Sequence, residues 1–244
     1  MQRTLLLTAT LLLVMLSPCQ GGFLDDLSRE VTPSLQPQIA LDTSIVVKGL
    51  KEALATGTQH AVTQVAKADG YFGNELIKIL LPDMIQQAAD ILREIGYRKE
   101  VDDLVLSMNR AAEHAAPGAA RFFGDAIRQM TLEDAKGILG GGERSATIFF
   151  EKSCRSRLFD AFRPSVSRSM EQVGTARAYK ELMGRYEALP LASLAGIPSM
   201  NLDEYVTNRA LDGLFRMVGD EEVKIRNNPA AQTTALLRKV FGGK

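Results

Sequence analysis

The chain has 244 residues, of which 45% are hydrophobic and 24% charged, a composition typical of a globular domain and not of a disordered chain. Basic and acidic residues are equal in number, 29 of each. This balance leaves no basic footprint of the kind that sequence-independent nucleic-acid binding requires, so we expect no nucleic-acid partner.

The first 21 residues have the three parts of a secretory signal. Arg3 gives a positive start, an apolar run follows from Leu5 to Leu16, and small residues precede a cleavage point after Gly21. This order predicts a signal peptide over residues 1–21 and export to the periplasm or envelope. The run is too short to span a bilayer and no second long apolar run follows, so we expect no transmembrane segment in the mature chain.

A lipid anchor at Cys19 is the alternative to simple cleavage. Leu16-Ser17-Pro18-Cys19 resembles a lipoprotein box, although Pro18 stands where such boxes carry Gly, Ala or Ser. The alternative location is therefore that of a lipoprotein attached to the membrane.

Residues 22–41 form a predicted extended N-terminal arm, and residues 42–244 a single all-α domain of about eight to ten helices. Asp42 is the expected cap of the first helix, which ends in an ordinary turn over Asp69–Asn74. Pro82 then begins a second helix. The residues expected to face inward there are Ile85, Ala88, Ala89, Ile91, Leu92 and Ile95.

The next helix carries apolar residues from Val101 to Ala115 on one arc of about 120°. Asn109 falls at the border of this arc, where it can hydrogen-bond a neighbouring element or line a cleft. Arg110 falls on the opposite side and is expected in solvent unless another element covers it. Farther along, Thr131–Asp134 has the pattern of a capping box on a short helix that ends at Gly140–Gly142.

Residues 146–162 are apolar nearly all round a helix, which predicts that this helix lies at the centre of the fold. Cys154 lies within its apolar stripe and is expected to be a buried, unreactive thiol. Pro164 is expected to kink or restart the chain. The apolar loop from Leu189 to Met200 should pack down before a long helix, and a last helix begins at Asn228-Pro229.

No pattern in the sequence predicts a site for a metal or a cofactor. His60 and His114 have no ligand spacing, and Gly140–Gly142 lacks the Lys of a phosphate loop. We therefore expect no metal and no cofactor. Asp220, Glu221 and Glu222 are interpreted as a solvated rim.

On the long C-terminal helix, Arg209, Asp212 and Arg216 follow one another at helical spacing. Such an arrangement is typical of a surface ion-pair ladder, worth a few tenths of a kcal/mol per pair. A binding role for Arg209 and Asp212 is the less favoured alternative.

Five segments together resemble a known family: Leu106–Glu113, Phe162–Pro164, Tyr205–Phe215, Ile225–Ala231 and Leu236–Gly242. They resemble exported bacterial proteins grouped as domain of unknown function 4197, and the resemblance runs from about Phe23 to the C-terminus. It implies an exported helical domain of Gram-negative type, with no activity or catalytic residue to transfer.

These features favour a non-enzymatic envelope protein that binds another protein or an apolar ligand. The candidate binding residues are Asn109, Arg110, Glu113, Arg163, Arg209 and Asp212. The alternative is a hydrolase-like enzyme whose site is assembled from scattered residues such as Asn109, Glu113, His114 and Arg163, which would have to converge in one pocket.

Overall fold

A computed structural model describes the backbone of residues 35–189 and 200–227, and side chains from residue 43 onward within those ranges. The predicted signal peptide, most of the arm, most of the apolar loop at 189–200 and the last predicted helix lie outside the described residues. The chain divides into two compact units at Thr43, and the packing below concerns the unit that begins at Ser44.

The all-α prediction is confirmed, because residues 35–189 and 200–227 contain helices and turns but no strand. The eight α-helices within these two ranges are α1 (Leu35–Val65), α2 (Asp83–Glu94), α3 (Arg98–Ala115), α4 (Ala119–Gln129), α5 (Leu132–Gly140), α6 (Ser145–Gln172), α7 (Thr175–Glu187) and α8 (Leu202–Asn227). A single 3₁₀ turn, Ala116–Gly118, joins α3 to α4. Helix α1 begins at Leu35, ahead of the expected cap at Asp42.

Helix α6 is the centre of the fold, as its all-round apolar pattern predicted. It packs against α3, α4, α5, α7 and α8. The ring of Phe123 from α4 packs edge-on against Phe150 of α6, with ring centroids 5.2 Å apart, and against Phe215 of α8, with ring centroids 5.9 Å apart. Edge-to-face packing is one of the geometries that aromatic pairs prefer. Cys154 is buried on the same helix, as predicted.

Pro164 does not restart the chain. Helix α6 runs without a break from Ser145 to Gln172 and contains this proline. Phe162 and Val166, on either side of the proline, are both buried, so packing against the core offsets the loss of one backbone donor.

Helix α2 exposes part of the face that the sequence predicted to be inward. Ile85, Ala88, Ala89 and Leu92 are buried, whereas Ile91 and Ile95 are 42% and 49% exposed. Helix α2 packs mainly against a single helix, α3, so the contact covers a narrower arc than the apolar pattern.

The capping box at Thr131 is confirmed. Its hydroxyl accepts the backbone N–H of Asp134, whose carboxylate in turn accepts the backbone N–H of Thr131. The Thr131 hydroxyl also donates to the Asp134 carboxylate at 2.7 Å, and this bond, together with the bond from the Thr131 backbone N–H, lowers the pKa of Asp134. The box fixes where α5 begins.

Candidate functional site

The connection between α1 and α2, residues 66–82, begins as turns and then becomes extended without joining a sheet. Ile77, Ile79 and Leu81 are buried, and they alternate with Lys78, which is half-buried, and Leu80, which is exposed. This two-residue period is that of an extended strand. We call residues 66–82 the α1–α2 connection.

Asn109 of α3 takes the place of a neighbouring strand for this connection. Its side chain accepts the backbone N–H of Ile79 at 2.8 Å and donates to the carbonyl of Ile79 at 2.8 Å. It donates in addition to the carbonyl of Val105 at 2.8 Å. Asn109 is fully buried, so its amide satisfies backbone groups that would otherwise be unpaired.

Glu113, one turn farther along α3, holds the start of the same connection. One carboxylate oxygen accepts the backbone N–H groups of Tyr71 and Phe72, both at 3.1 Å. The other accepts from Arg110 at 2.6 Å, and Arg110 donates also to Asp69 at 2.8 Å. Glu113 is 2% exposed, so its charge is compensated as a buried carboxylate requires.

Arg110 is therefore covered by another element, which the sequence allowed but did not decide. Its bond to Glu113, together with its bond to Asp69, raises the pKa of the guanidinium. The polar groups of Asn109, Arg110 and Glu113 are thus occupied in anchoring the α1–α2 connection.

Tyr71 joins the connection to α8. Its ring is fully buried, and its hydroxyl donates to the carbonyl of Ala210 at 2.7 Å. Burial raises the pKa of this phenol well above its usual range, and the charge of Glu113 acts in the same direction. Gly213 provides the space for the ring, because a Cβ there would lie 2.8 Å from Cε1 of Tyr71.

With the connection fixed in this way, a groove of about 530 Å³ opens between it and α8. We call it the α8 groove. Its lining residues are Leu76, Ile77, Lys78, Leu80, Leu81, Asp83, Gln86, Tyr205, Arg209, Asp212, Gly213 and Arg216. Leu76 and Leu80 are 65% and 58% exposed along its rim, so the groove presents apolar side chains to solvent.

Charged side chains of α8 form the opposite wall. Arg155 of α6 donates to Asp212 at 2.6 Å, and Arg209 reaches Asp212 only at 3.8 Å. Arg216 lines the groove, and its guanidinium makes no hydrogen bond or ion pair with any described residue. The predicted ladder is therefore incomplete, and its two α8 arginines keep most of their donors free toward the groove.

Tyr205 makes two contacts that fix one end of the groove. The hydroxyl of Tyr205 donates to the carbonyl of Leu80 at 2.9 Å, which ties α8 to the rim. The guanidinium of Arg209 lies 5.4 Å from the centroid of the Tyr205 ring, a cation–π distance. Both walls of the groove are thus held in place before anything binds.

The remaining candidate, Arg163, lies exposed on α6, and His114 lies exposed on α3. Neither lines the α8 groove. No hydrogen bond joins any two of Asn109, Glu113, His114 and Arg163 in the described structure. Of these four residues, Asn109 and Glu113 contact the α1–α2 connection, and His114 and Arg163 lie exposed on their helices.

The acidic run of α8 is not the solvated rim that the sequence suggested. Glu222 is buried and accepts the backbone N–H groups of Ala146 and Thr147 at 2.9 Å, so it caps the start of α6. It pairs with Arg226 at 2.9 Å. Sequence reasoning missed this role because α6 meets α8 only through tertiary packing.

Glu221, also buried, accepts from Lys224 at 2.6 Å and contacts Nδ1 of His60 at 2.7 Å. Burial acts to raise the pKa of Glu221, but the hydrogen bonds from Lys224 and His60 outweigh it and the pKa lies below its usual value. The pair formed by His60 and Glu221 links α1 to α8.

Sequence reasoning also missed Lys78, Leu76 and Leu80. The signal that could have found them is the short apolar run before Pro82, Leu76–Leu81, which is too short for a helix and is interrupted only by Lys78. Its alternation between buried and exposed residues becomes visible only once Ile77 and Ile79 have been placed against the core.

Among the described residues, no three or more His, Cys, Asp or Glu side chains are grouped closely enough to hold a metal ion. None of the helices described here has the length and apolar character needed to cross a membrane.

A family model described as "Protein of unknown function (DUF4197)" matches residues 40–242. No curated protein and no solved structure matches the chain.

Proposed function

The chain belongs to the DUF4197 family, and we propose that it is an exported, non-enzymatic envelope protein that binds a partner protein in the α8 groove. The observation that carries the proposal is the coincidence, in one concave site, of exposed Leu76 and Leu80 with the free donors of Arg209 and Arg216. Large exposed apolar side chains next to arginine and tyrosine are typical of binding sites for proteins.

The groove has the size and rigidity that recognition needs. Its volume of about 530 Å³ falls within the range of about 300–1,000 Å³ usual for ligand sites. Tyr205 holds the rim through Leu80 and lies beside Arg209. A site whose side chains are already positioned loses less entropy on binding.

An apolar ligand is the second occupant that the sequence allowed, and the apolar recess of the described structure offers it little room. The apolar recess lined by Leu54, Gly57, Phe150, Val218 and Ile225 has a volume of about 20 Å³. That is about the space of one water molecule. A carrier of an apolar ligand needs hundreds of cubic ångströms. The α8 groove has that volume, but its lining includes arginine and aspartate side chains, which favours a protein partner.

The location is part of the proposal and rests on the sequence alone. The positive start, the apolar run from Leu5 to Leu16 and the small residue Gly21 support export with cleavage. Intact-mass measurement of protein recovered from the envelope tests this. A mass that includes residues 1–21 contradicts cleavage, and a diacylglyceryl adduct on Cys19 establishes the lipoprotein alternative.

The binding proposal is tested by site-specific photo-crosslinking in cells. A photoreactive residue at Leu76 or at Leu80 should give the same adduct with one partner protein. The matched control position is Ile148, which is exposed to a similar degree, 50%, on α6 and does not line the groove. Arg216→Glu should abolish the adduct.

The proposal is wrong if the control position gives the same adducts as the two groove positions. It is equally wrong if the adduct at Leu80 persists unchanged in the Arg216→Glu variant, because binding would then not involve the basic wall.

A further inference from the structure

We infer that the α8 groove recognises an extended acidic peptide segment whose carboxylates recur every third residue and whose apolar side chains contact the leucine rim. This inference rests on the proposed function and specifies its partner. It follows from the charges of the groove, from the spacing of the arginines and from the position of the rim.

The charges of the lining favour an anionic partner. Lys78, Arg209 and Arg216 line the groove, against Asp83 and Asp212. Asp212 is already neutralised by Arg155 from outside the lining. A segment rich in Lys or Arg would meet like charges here, whereas carboxylates would find guanidinium donors in the planar geometry that suits them.

The spacing of the two arginines sets the spacing of the carboxylates. Arg209 and Arg216 are two turns apart on the same face of α8, which places their Cα atoms about 10 Å apart. A polyproline-II segment has three residues per turn and advances about 9 Å in that turn. Acidic residues three positions apart on such a segment would therefore face the two arginines in succession.

The third feature is the rim formed by Leu76 and Leu80, on the wall that faces α8. Leu76 and Leu80 belong to the α1–α2 connection, which Asn109 and Tyr205 fix from both sides. Apolar residues placed between the acidic ones on the peptide would lie against these leucines. A segment that satisfies both walls therefore carries one acidic and one apolar residue in every three positions.

The probe is a fluorescein-labelled peptide made of four Glu-Pro-Leu repeats, and the control peptide has four Lys-Pro-Leu repeats. Binding is measured by fluorescence anisotropy on the protein purified in the form to which the cell processes the full chain. The acidic peptide should bind at least about tenfold more tightly than the basic one, and added salt should weaken it.

Arg216→Glu should lower the affinity of the protein for the acidic peptide by about tenfold. Arg163→Glu on α6 makes the same change in net charge outside the groove, so it should leave the affinity within about twofold. Circular dichroism of both variants, which alter exposed side chains, verifies that they are folded.

Equal affinity for the two peptides overturns the inference, as does an equal loss in the two variants. Binding of phosphatidylcholine vesicles that contain phosphatidylglycerol, lost in Arg216→Glu while no peptide binds, would assign the groove to a membrane surface and overturns it as well. If photo-crosslinking at Leu80 still captures a protein while the acidic peptide fails, the peptide chemistry is wrong and the proposed function stands.

Discussion

Replacing Gly213 by alanine should destabilise the protein, although alanine is the better helix former. Gly213 lies inside α8, where the substitution by itself stabilises a helix by about 1 kcal/mol. The added Cβ would lie 2.8 Å from Cε1 of Tyr71 and 3.1 Å from Cβ of Ile77. Neither neighbour can move away freely. The Tyr71 ring is fully buried and bonded to Ala210, and Ile77 is 6% exposed.

The expected size follows from these two opposing contributions. Overpacking a core costs about 1–3 kcal/mol, and a contact of 2.8 Å with a buried ring places the cost in the upper part of that range, at about 2–3 kcal/mol. After the helix gain of about 1 kcal/mol is subtracted, the net loss for Gly213→Ala is about 1–2 kcal/mol. For a domain of this length, each kcal/mol corresponds to about 2–4 °C in Tm. We expect Tm to fall by about 2–8 °C.

Gly137→Ala is the matched control. Gly137 lies in α5, and a Cβ there would meet no atom within 4 Å. Helix propensity should then act alone and stabilise the protein by about 0.5–1 kcal/mol. Urea unfolding followed by circular dichroism measures both variants. The reasoning is refuted if Gly213→Ala is as stable as the natural protein, or if both variants shift in the same direction.

Four further outcomes are expected, three that concern buried groups and one that concerns metals and nucleotides. Glu113→Ala should cost about 3 kcal/mol in urea unfolding, because it leaves buried N–H groups and a guanidinium unpaired, whereas Glu151→Ala on the surface of α6 should change little. Burial raises the pKa of the Cys154 thiol to about 11, so Ellman's reagent at pH 8 should modify the cleaved protein only after unfolding. Glu221→Gln should destabilise the protein at pH 7, and this difference should shrink below the usual pKa of a glutamate and disappear as the pH falls through the lowered pKa of the folded state. A carboxyl whose folded pKa is lowered contributes stability above its unfolded pKa and loses it as the pH falls through the folded value. Thermal melts with EDTA, zinc, calcium and ATP should coincide, since bound ligands raise Tm, and a fall with EDTA contradicts the expectation of no metal.

The helical periodicity of the sequence determined the fold class, the helix that occupies the centre and the burial of Cys154. These features depend on local spacing: apolar residues on one arc predict a buried face, and an all-round apolar helix has no face that favours solvent. The capping box at Thr131 belongs to the same group, since all its partners lie within one turn.

Tertiary structure alone decided the candidate functional site. Asn109 and Glu113 are polar residues of an amphipathic helix, and nothing in their spacing shows that they bind backbone groups at Ile79 and Tyr71, about 30 and 42 residues away. Glu222 was assigned to a solvated rim for the same reason, because its partners at Ala146 and Thr147 lie on another helix.

The α8 groove shows most clearly which features sequence periodicity does not determine. Arg209 and Arg216 could be placed on one face of α8 from the sequence, but the opposite wall could not. That wall exists because the α1–α2 connection is held extended by side chains of α3 and α8, which turns Leu80 outward and Ile79 inward. A helix pattern is fixed by neighbours in the chain, whereas a groove is fixed by long-range hydrogen bonds and packing that periodicity does not encode.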